Sequence, residues 1–192
     1  LAELGITDNT PDPIGGRIVR DPVTGEATGW LLETAQTELV WPLLSKISAA
    51  ELDSDIDRAL RAFAENGLTS VIEMALDEEG LAALVRAESE GRLLTRVIAH
   101  MIVRRTGDPE EEREQVERFA ELARRHTGDR LRVTGIKLIT DGTIDGCTAA
   151  MLAPYTTGAN EEPIWDAPSL NAVVEAADAA GLQLAIHAIG DR

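Results

Sequence analysis

Four segments with a helical pattern alternate with four short apolar segments between Ser48 and Arg192. Each helical segment ends at a glycine, and an apolar segment typical of a buried strand follows within a few residues. The predicted strands are 68–73, 94–103, 131–139 and the run that begins at Leu182. Helix–strand units in series form parallel sheets with right-handed crossovers. The alternation therefore predicts an α/β fold, either part of a (β/α)8 barrel or a small doubly wound sheet.

The first 47 residues do not follow this alternation. Two β-like segments, 17–20 and 28–32, flank the turn sequence 21–26, which is the pattern of a hairpin with a longer turn. We therefore expect residues 1–47 to form an N-terminal β-ribbon or insertion segment. Residues 48–192 are then expected to form the α/β part, and if their sheet belongs to a barrel it is a partial TIM barrel, because a complete eight-stranded barrel needs about 250 residues.

The charge and the cysteine count narrow the class of protein. The formal net charge is −16 and the isoelectric point is about 4.5, which argues against binding to nucleic acid or to an anionic membrane. No apolar segment reaches the 18 residues of a transmembrane helix. Cys147 is the one cysteine, so no intramolecular disulfide forms, and we expect a reducing, cytoplasmic location.

Lys137 lies inside the otherwise apolar strand 131–139. A buried lysine is costly unless it is paired, modified or neutral. If its side chain points into a barrel, a carbamate formed with CO₂ would turn it into an anionic oxygen ligand for a metal. The alternative is an amphipathic lysine at a strand edge, with its ammonium group in solvent.

His187 lies near the C-terminal end of the fourth predicted strand, which is where ligands bind in parallel α/β folds. Taken alone, it fits a hydrogen-bonded core histidine as well as a metal ligand. Lys137 and His187 at the ends of consecutive strands would place an oxygen ligand beside an imidazole. Zinc favours this combination.

Three acidic residues are candidates for a supporting or substrate-loop role, and each has a simpler alternative. Asp141 lies in a glycine-rich loop that could be an ordinary turn. Asp191 could equally be a helix N-cap, and Glu73 a charge at the rim of the sheet. His100, in the second strand, is expected in the core or at the rim. No catalytic residue is assigned from these patterns.

Several segments together resemble the amidohydrolase superfamily, and within it the YtcJ-like metal-dependent hydrolases of amidohydrolase family 3. The resemblance covers the whole chain in the order of the family. Its motifs here are Thr10-Pro-Asp-Pro13, Gly15-Gly-Arg-Ile-Val-Arg-Asp21, Gly67-Leu-Thr-Ser-Val71, Lys137-Leu-Ile-Thr-Asp-Gly-Thr143, Cys147-Thr-Ala-Ala-Met-Leu-Ala-Pro-Tyr155 and Ala185-Ile-His-Ala-Ile-Gly-Asp-Arg192.

The resemblance implies a (β/α)8 barrel that hydrolyses C–N bonds other than peptide bonds. The expected substrate is a small molecule with an amide or a cyclic amide or amidine, attacked by a metal-activated water. One or two divalent ions, zinc by expectation, would be bound. The family order makes Lys137 the metal ligand of strand 4 and His187 the metal ligand of strand 5.

The chain also departs from the family pattern. It contains no His-x-His pair, and the histidine of strand 6 and the aspartate of strand 8 are not found. We interpret the chain as the middle portion of a longer hydrolase and expect these 192 residues alone to be inactive. The alternative is a non-catalytic regulatory or binding module of the same descent. Exposed strand edges recruit partners, so we also expect self-association, most simply as a homodimer.

Overall fold

The computed structural model describes residues 1–41 and 47–192, which form two compact units. One unit contains the N-terminal segment together with residues 139–166 and 187–192. The other, here the helix–strand unit, contains residues 47–138 and 167–186. The loop-rich unit thus joins three segments that are far apart in sequence, which the alternation pattern does not suggest.

The loop-rich unit begins with the predicted hairpin. A short 3₁₀ turn, Ala2–Leu4, precedes β1 (Gly16–Arg20), β2 (Ala27–Glu33) and α1 (Thr34–Leu39). Strands β1 and β2 pair antiparallel, as predicted. Ile6, Ile18 and Ala35 form a small buried cluster under this hairpin. Asp12 fixes the start of the hairpin, because its carboxylate accepts a 3.0 Å hydrogen bond from the Ile18 N–H.

The helix–strand alternation is confirmed. In chain order the elements are α2 (Ala49–Glu65), β3 (Ser70–Leu76), α3 (Glu78–Ser89), β4 (Arg96–Ile102), α4 (Pro109–Arg125), β5 (Leu131–Ile139), α5 (Ala167–Ala179) and β6 (Gln183–His187). Helix α2 begins with the predicted capping box: Ser48 Oγ accepts from the Glu51 N–H, and the Glu51 carboxylate accepts from the Ser48 N–H.

The four strands β3 to β6 form one sheet in sequence order. The pairs β3–β4 and β4–β5 are parallel, so the predicted fold class, a partial TIM barrel with an N-terminal β-ribbon, is confirmed. Strand β5 has the predicted bounds, whereas β3 begins two residues later than predicted. The reason is the end of α2: the Leu68 N–H still donates to the Phe63 carbonyl, 2.9 Å away, so Leu68 belongs to the helix cap.

One face of the sheet carries most of the core. Met101, Ile136 and Leu138 are fully buried on β4 and β5, and each contributes about 1.5–3 kcal/mol by leaving water. Gly135 allows β6 to approach β5 closely, because a Cβ at this position would lie 2.2 Å from the Gln183 carbonyl oxygen. Glycine is therefore required in the strand that carries Lys137.

Candidate functional site

The loop that follows β5 is held by a buried carboxylate. Asp141 is 5% exposed. It accepts backbone N–H hydrogen bonds from Ala150 at 3.1 Å, from Ile189 at 3.0 Å and from Gly190 at 2.7 Å. One side chain therefore joins the loop after β5 to the segment after β6.

The surroundings of Asp141 keep it ionised. Burial raises the pKa of this carboxyl, but the three backbone N–H donors and the nearby His187 lower it, and the net pKa lies below the ordinary value. Hydrogen bonds to the charged form explain the net direction. Asp141 is thus an anion at neutral pH and has no guanidinium or ammonium partner among the contacts that the structure describes.

His187 is the last residue of β6, and its ring has a defined orientation. Its Nε2 lies 3.0 Å from the carbonyl oxygen of Gly142. A carbonyl only accepts, so Nε2 carries a proton, and in the neutral form of the ring Nδ1 has the lone pair. The Asp141 carboxylate is 3.9 Å from Nε2, too far for a hydrogen bond. The main chain of His187 is also fixed, since its carbonyl accepts from the Thr140 N–H and hydroxyl at 3.0 and 2.6 Å.

This arrangement suits a metal ligand. Histidines that bind metals usually donate their other ring N–H to a carbonyl or a carboxylate, which fixes the tautomer. His187 does this toward Gly142, and its side chain is 28% exposed. Within residues 1–41 and 47–192, however, no three His, Cys, Asp or Glu side chains lie close enough together to hold a metal ion. His187 therefore fits as one ligand of a site that needs further ligands.

Lys137 lies on β5 in the helix–strand unit and is half-buried. Its neighbour is His100 on β4, which is 6% exposed. Burial lowers the pKa of His100, and the positive charge of Lys137 lowers it further. The Nδ1 atom of His100 has no hydrogen-bond partner in the part of the chain that the structure describes. Lys137 thus lies beside a neutral, buried imidazole.

The predicted site residues therefore divide between the two units. Asp141 and His187 lie together in the loop-rich unit, where Asp191 accepts a 2.7 Å hydrogen bond from the Leu152 N–H. Lys137 and Glu73 belong to the helix–strand unit. Glu73 is exposed, and its carboxylate accepts from the N–H of Ala75 in its own strand. The shared metal site of Lys137 and His187 stays a prediction.

Glu33 is a candidate that the sequence pattern did not identify. It ends β2 with φ = 50° and ψ = −122°, a conformation that side chains other than glycine rarely adopt. Its carboxylate accepts a 2.5 Å hydrogen bond from the hydroxyl of Thr148. The available signal was a glutamate at an N-cap position, where Ser, Thr, Asp or Asn is usual; Glu33 makes no cap hydrogen bond.

A cleft of about 280 Å³ opens beside Glu33 in the loop-rich unit. Its wall includes Arg17, Glu33 and Asn160 as polar side chains, and Gly142, whose carbonyl contacts His187. Arg17 forms an ion pair with Glu161 at 2.9 Å. The cleft therefore offers both hydrogen-bond donors and acceptors next to the backbone that orients His187.

Comparisons with known proteins show the family to which the chain belongs. A family model described as "Amidohydrolase family" matches residues 1–192. YtcJ of Bacillus subtilis, named as an amidohydrolase, is 30% identical over 198 residues, which cover 100% of this chain and 35% of YtcJ. The exoenzymes regulatory protein AepA of Pectobacterium carotovorum is 29% identical over 188 residues, covering 96% of this chain and 39% of AepA.

A solved structure is also similar. The crystal structure of an uncharacterized metal-dependent hydrolase from Pyrococcus horikoshii superposes with a TM-score of 0.68 at 28% identity, over 95% of this chain and 35% of that one. The chain therefore spans between 35% and 39% of the length of these three proteins.

Proposed function

We propose a function from one premise: the chain belongs to the amidohydrolase family. The protein that carries it is a metal-dependent hydrolase of C–N bonds other than peptide bonds, and its substrate is a small amide or a cyclic amide or amidine. The observation that supports this most directly is the hydrogen bond from His187 Nε2 to the Gly142 carbonyl, since it leaves Nδ1 free to bind a metal.

In this proposal Lys137 and His187 hold the metal, together with ligands from outside this chain. Zinc is the proposed ion, because it favours imidazole nitrogen together with carboxylate-like oxygen. A bound zinc ion would polarise the amide carbonyl and acidify a water molecule. The contribution of this chain is orientation: Gly142 fixes the His187 tautomer, and Asp141 fixes the backbone that follows His187.

The cleft beside Glu33 is the proposed place for the part of the substrate that does not react. Its wall pairs a guanidinium, Arg17, with the carboxylate of Glu33 and the amide of Asn160. Such a wall can hydrogen-bond both the N–H and the C=O of an amide. Because Gly142 belongs to the same wall, a group bound there would lie next to the residue that contacts His187.

The 192 residues alone are proposed to be inactive, because the described residues bring together no set of three metal-binding side chains. The test compares this chain with the longest form of the protein on a panel of N-acyl amides and cyclic amides, with and without zinc. We expect zinc-dependent turnover by the long form and none by the 192-residue chain. Turnover by the 192-residue chain without metal would contradict the proposal.

A regulatory role is the second candidate, since one relative is named an exoenzymes regulatory protein. A protein of this kind would keep the fold and could still bind metal. The same assay separates the two candidates: a long form that binds zinc stoichiometrically but hydrolyses nothing on the panel favours the regulatory role.

Location and assembly stay predictions. Within residues 1–41 and 47–192, no helix has both the length and the apolar character needed to cross a bilayer; the cytoplasmic location stays a prediction.

Strand β3 is at the edge of the sheet, and its Ile72 and Met74 are 59% and 42% exposed. Exposed apolar edges favour association, so light scattering of the 192-residue chain at micromolar concentration is expected to show a dimer. A well-behaved monomer would contradict that expectation.

A further inference from the structure

We propose that Glu33 is a positioning residue for His187 and acts through Thr148 and the loop 140–150. This inference rests on the proposed role of His187 as a metal ligand. It gives the N-terminal hairpin a part in the site, although the sequence pattern separates that hairpin from the helix–strand units.

The first step is the fixed position of Glu33. Gly16 pairs with Glu33 in the hairpin. A Cβ on Gly16 would lie 2.2 Å from the backbone nitrogen of Ala35, so the chain can pass here only with glycine. The Thr34 hydroxyl donates to the Ile14 carbonyl at 2.6 Å. These contacts hold the backbone of Glu33 in its left-handed conformation. That conformation costs of order 1–3 kcal/mol for a residue other than glycine.

The second step is the contact from Glu33 to Thr148. The Thr148 side chain is nearly buried, at 7% exposed. Its hydroxyl donates to Glu33 Oε1 at 2.5 Å and accepts from the Thr143 N–H at 2.9 Å. A hydrogen bond to a charged acceptor is among the stronger ones in proteins. The hydroxyl therefore joins the hairpin to the loop that begins after β5.

The third step leads from Thr148 to His187. The Thr148 carbonyl accepts from the Gly142 N–H at 3.1 Å, and the Gly142 carbonyl faces His187 Nε2 at 3.0 Å. Gly142 also packs tightly here: a Cβ on it would lie 2.1 Å from Thr148 Oγ1 and 2.8 Å from Glu33 Oε1. Each residue in the series thus fixes the next, and the last one sets the tautomer of His187.

The alternative is that Glu33 only stabilises the hairpin. In that case its removal would loosen the hairpin and leave the ring of His187 unchanged. A positioning role predicts the opposite: the carbonyl of Gly142 moves, and the proton of His187 distributes over both ring nitrogens. The tautomer of His187 therefore distinguishes the two roles.

The experiment uses the intact protein labelled with ¹⁵N-histidine, with neither metal nor substrate present. The test variants are Glu33→Ala and Thr148→Val, which remove one partner of the hydrogen bond. Glu33→Gln and Thr148→Ser are the conservative variants that keep an acceptor or a hydroxyl. Glu26→Ala is the matched control, since Glu26 lies in the exposed turn of the same hairpin, and His187→Gln assigns the signal.

In the wild type we expect the Nε2–H tautomer of His187 to predominate. In Glu33→Ala and in Thr148→Val we expect both tautomers, and amide exchange in residues 140–150 roughly tenfold faster, as for the loss of one buried hydrogen bond. The double variant Glu33→Ala/Thr148→Val should show the same tautomer mixture and the same exchange rates as each single variant, because both substitutions remove the same hydrogen bond. Glu33→Gln, Thr148→Ser and Glu26→Ala should behave like the wild type.

An unchanged His187 tautomer in both Glu33→Ala and Thr148→Val would overturn the inference. So would an equal increase of exchange throughout the protein, which indicates a role in folding alone. If Glu33→Ala does not fold, Thr148→Val, which keeps nearly the same volume, decides. Because no metal or substrate is used, an inactive parent protein would contradict the proposed function and leave this result intact.

Discussion

Glu112 and Asp141 are buried carboxylates, one in each unit, and different partners stabilise their negative charges. Glu112, on α4 of the helix–strand unit, is 1% exposed; it forms an ion pair with Arg105 and accepts from the N–H groups of Thr106 and Gly107. Asp141, in the loop-rich unit, accepts hydrogen bonds from three backbone N–H groups and lies beside His187. The ion pair between Glu112 and Arg105 holds the loop that precedes α4. The backbone donors to Asp141 instead hold the loop beside His187, whose Nε2 contacts the Gly142 carbonyl.

The same contrast holds for the histidines. His100 is nearly buried with an unpartnered Nδ1 among the described residues, whereas His187 is partly exposed with Nε2 bound to a carbonyl. One imidazole lies in the packing of the sheet, and the other is oriented at the end of a strand. We therefore expect substitutions of Glu112 and His100 to change stability, and substitutions around Asp141 to change metal binding.

The largest expected effect on stability is at Glu112. Glu112→Ala removes the buried carboxylate that forms the ion pair with Arg105 and accepts from two backbone N–H groups. We expect a loss of about 3–5 kcal/mol in the free energy of unfolding, the usual result of removing one partner of a buried ion pair. Metal content per folded molecule should not change. Denaturant titration and metal analysis of the intact protein test both parts, and a loss of metal would contradict the different roles expected for Glu112 and Asp141.

Asp141→Asn should reduce stability less than Glu112→Ala does and should reduce metal affinity more. We expect a loss of about 2 kcal/mol, because a charged acceptor of three backbone N–H groups is replaced by a neutral one. Metal affinity should fall by roughly 10–100-fold, as when a residue that supports a metal ligand is changed. Zinc titration measures this, with Glu112→Ala as the control whose affinity is expected to match the wild type.

The stability difference between wild type and Asp141→Asn should also depend on pH. The folded pKa of Asp141 lies below its ordinary value, so the folded state favours the ionised carboxylate. The stabilisation is therefore complete above the unfolded pKa of about 3.9 and disappears as the pH falls through the folded pKa. Unfolding measured from neutral to acidic pH should show the two proteins converging at the acidic end; a constant difference would refute this.

The smallest expected effect is at His100. His100→Phe keeps a planar aromatic ring and removes both ring nitrogens, of which Nδ1 has no partner among the described residues, so stability at neutral pH should change by less than about 1 kcal/mol. The folded pKa of His100 is lowered, so below about pH 6.5 the unfolded state takes up the proton first and the wild type loses stability. His100→Phe should lose less stability over that range, and equal slopes would argue against a buried neutral imidazole.

Carboxylation of Lys137 is expected to depend on the presence of the metal. A carbamate needs a nearby metal charge to persist, so we expect it in the zinc-loaded long form and not in the 192-residue chain. Mass spectrometry of the native proteins under CO₂ would show an added CO₂ on Lys137 only in the long form. A carbamate on the 192-residue chain without metal would be contrary to this expectation.

The fold could be predicted from the sequence because its signals are local. Strand β5 was predicted with its observed bounds from an apolar run between a glycine and a polar loop, and the Ser48 capping box marked the start of α2. His187 could be proposed from its position at the end of a strand, and Asp141 from its position after one. The hydrogen bond between Glu33 and Thr148 could not, because it joins residues 115 positions apart and depends on how the segments fold against each other.

The backbone hydrogen bonds to Asp141 could not be predicted from the sequence either. Its donors, Ala150, Ile189 and Gly190, contribute main-chain N–H groups, which any residue other than proline provides. No residue type marks such a contact. The glycine-rich context of Asp141 predicted a turn, and the structure shows that the turn is built around the carboxylate.

The central proposal is that Lys137 and His187 are ligands of one metal in the intact protein. The most direct test is the zinc content and amide hydrolysis of Lys137→Ala and His187→Ala, with His126→Ala as the control, because His126 caps the end of α4. We expect each test variant to lose zinc and turnover together, by more than the roughly 10–100-fold expected for a supporting residue, while the control keeps both. Full zinc content and full turnover in either test variant would contradict the claim.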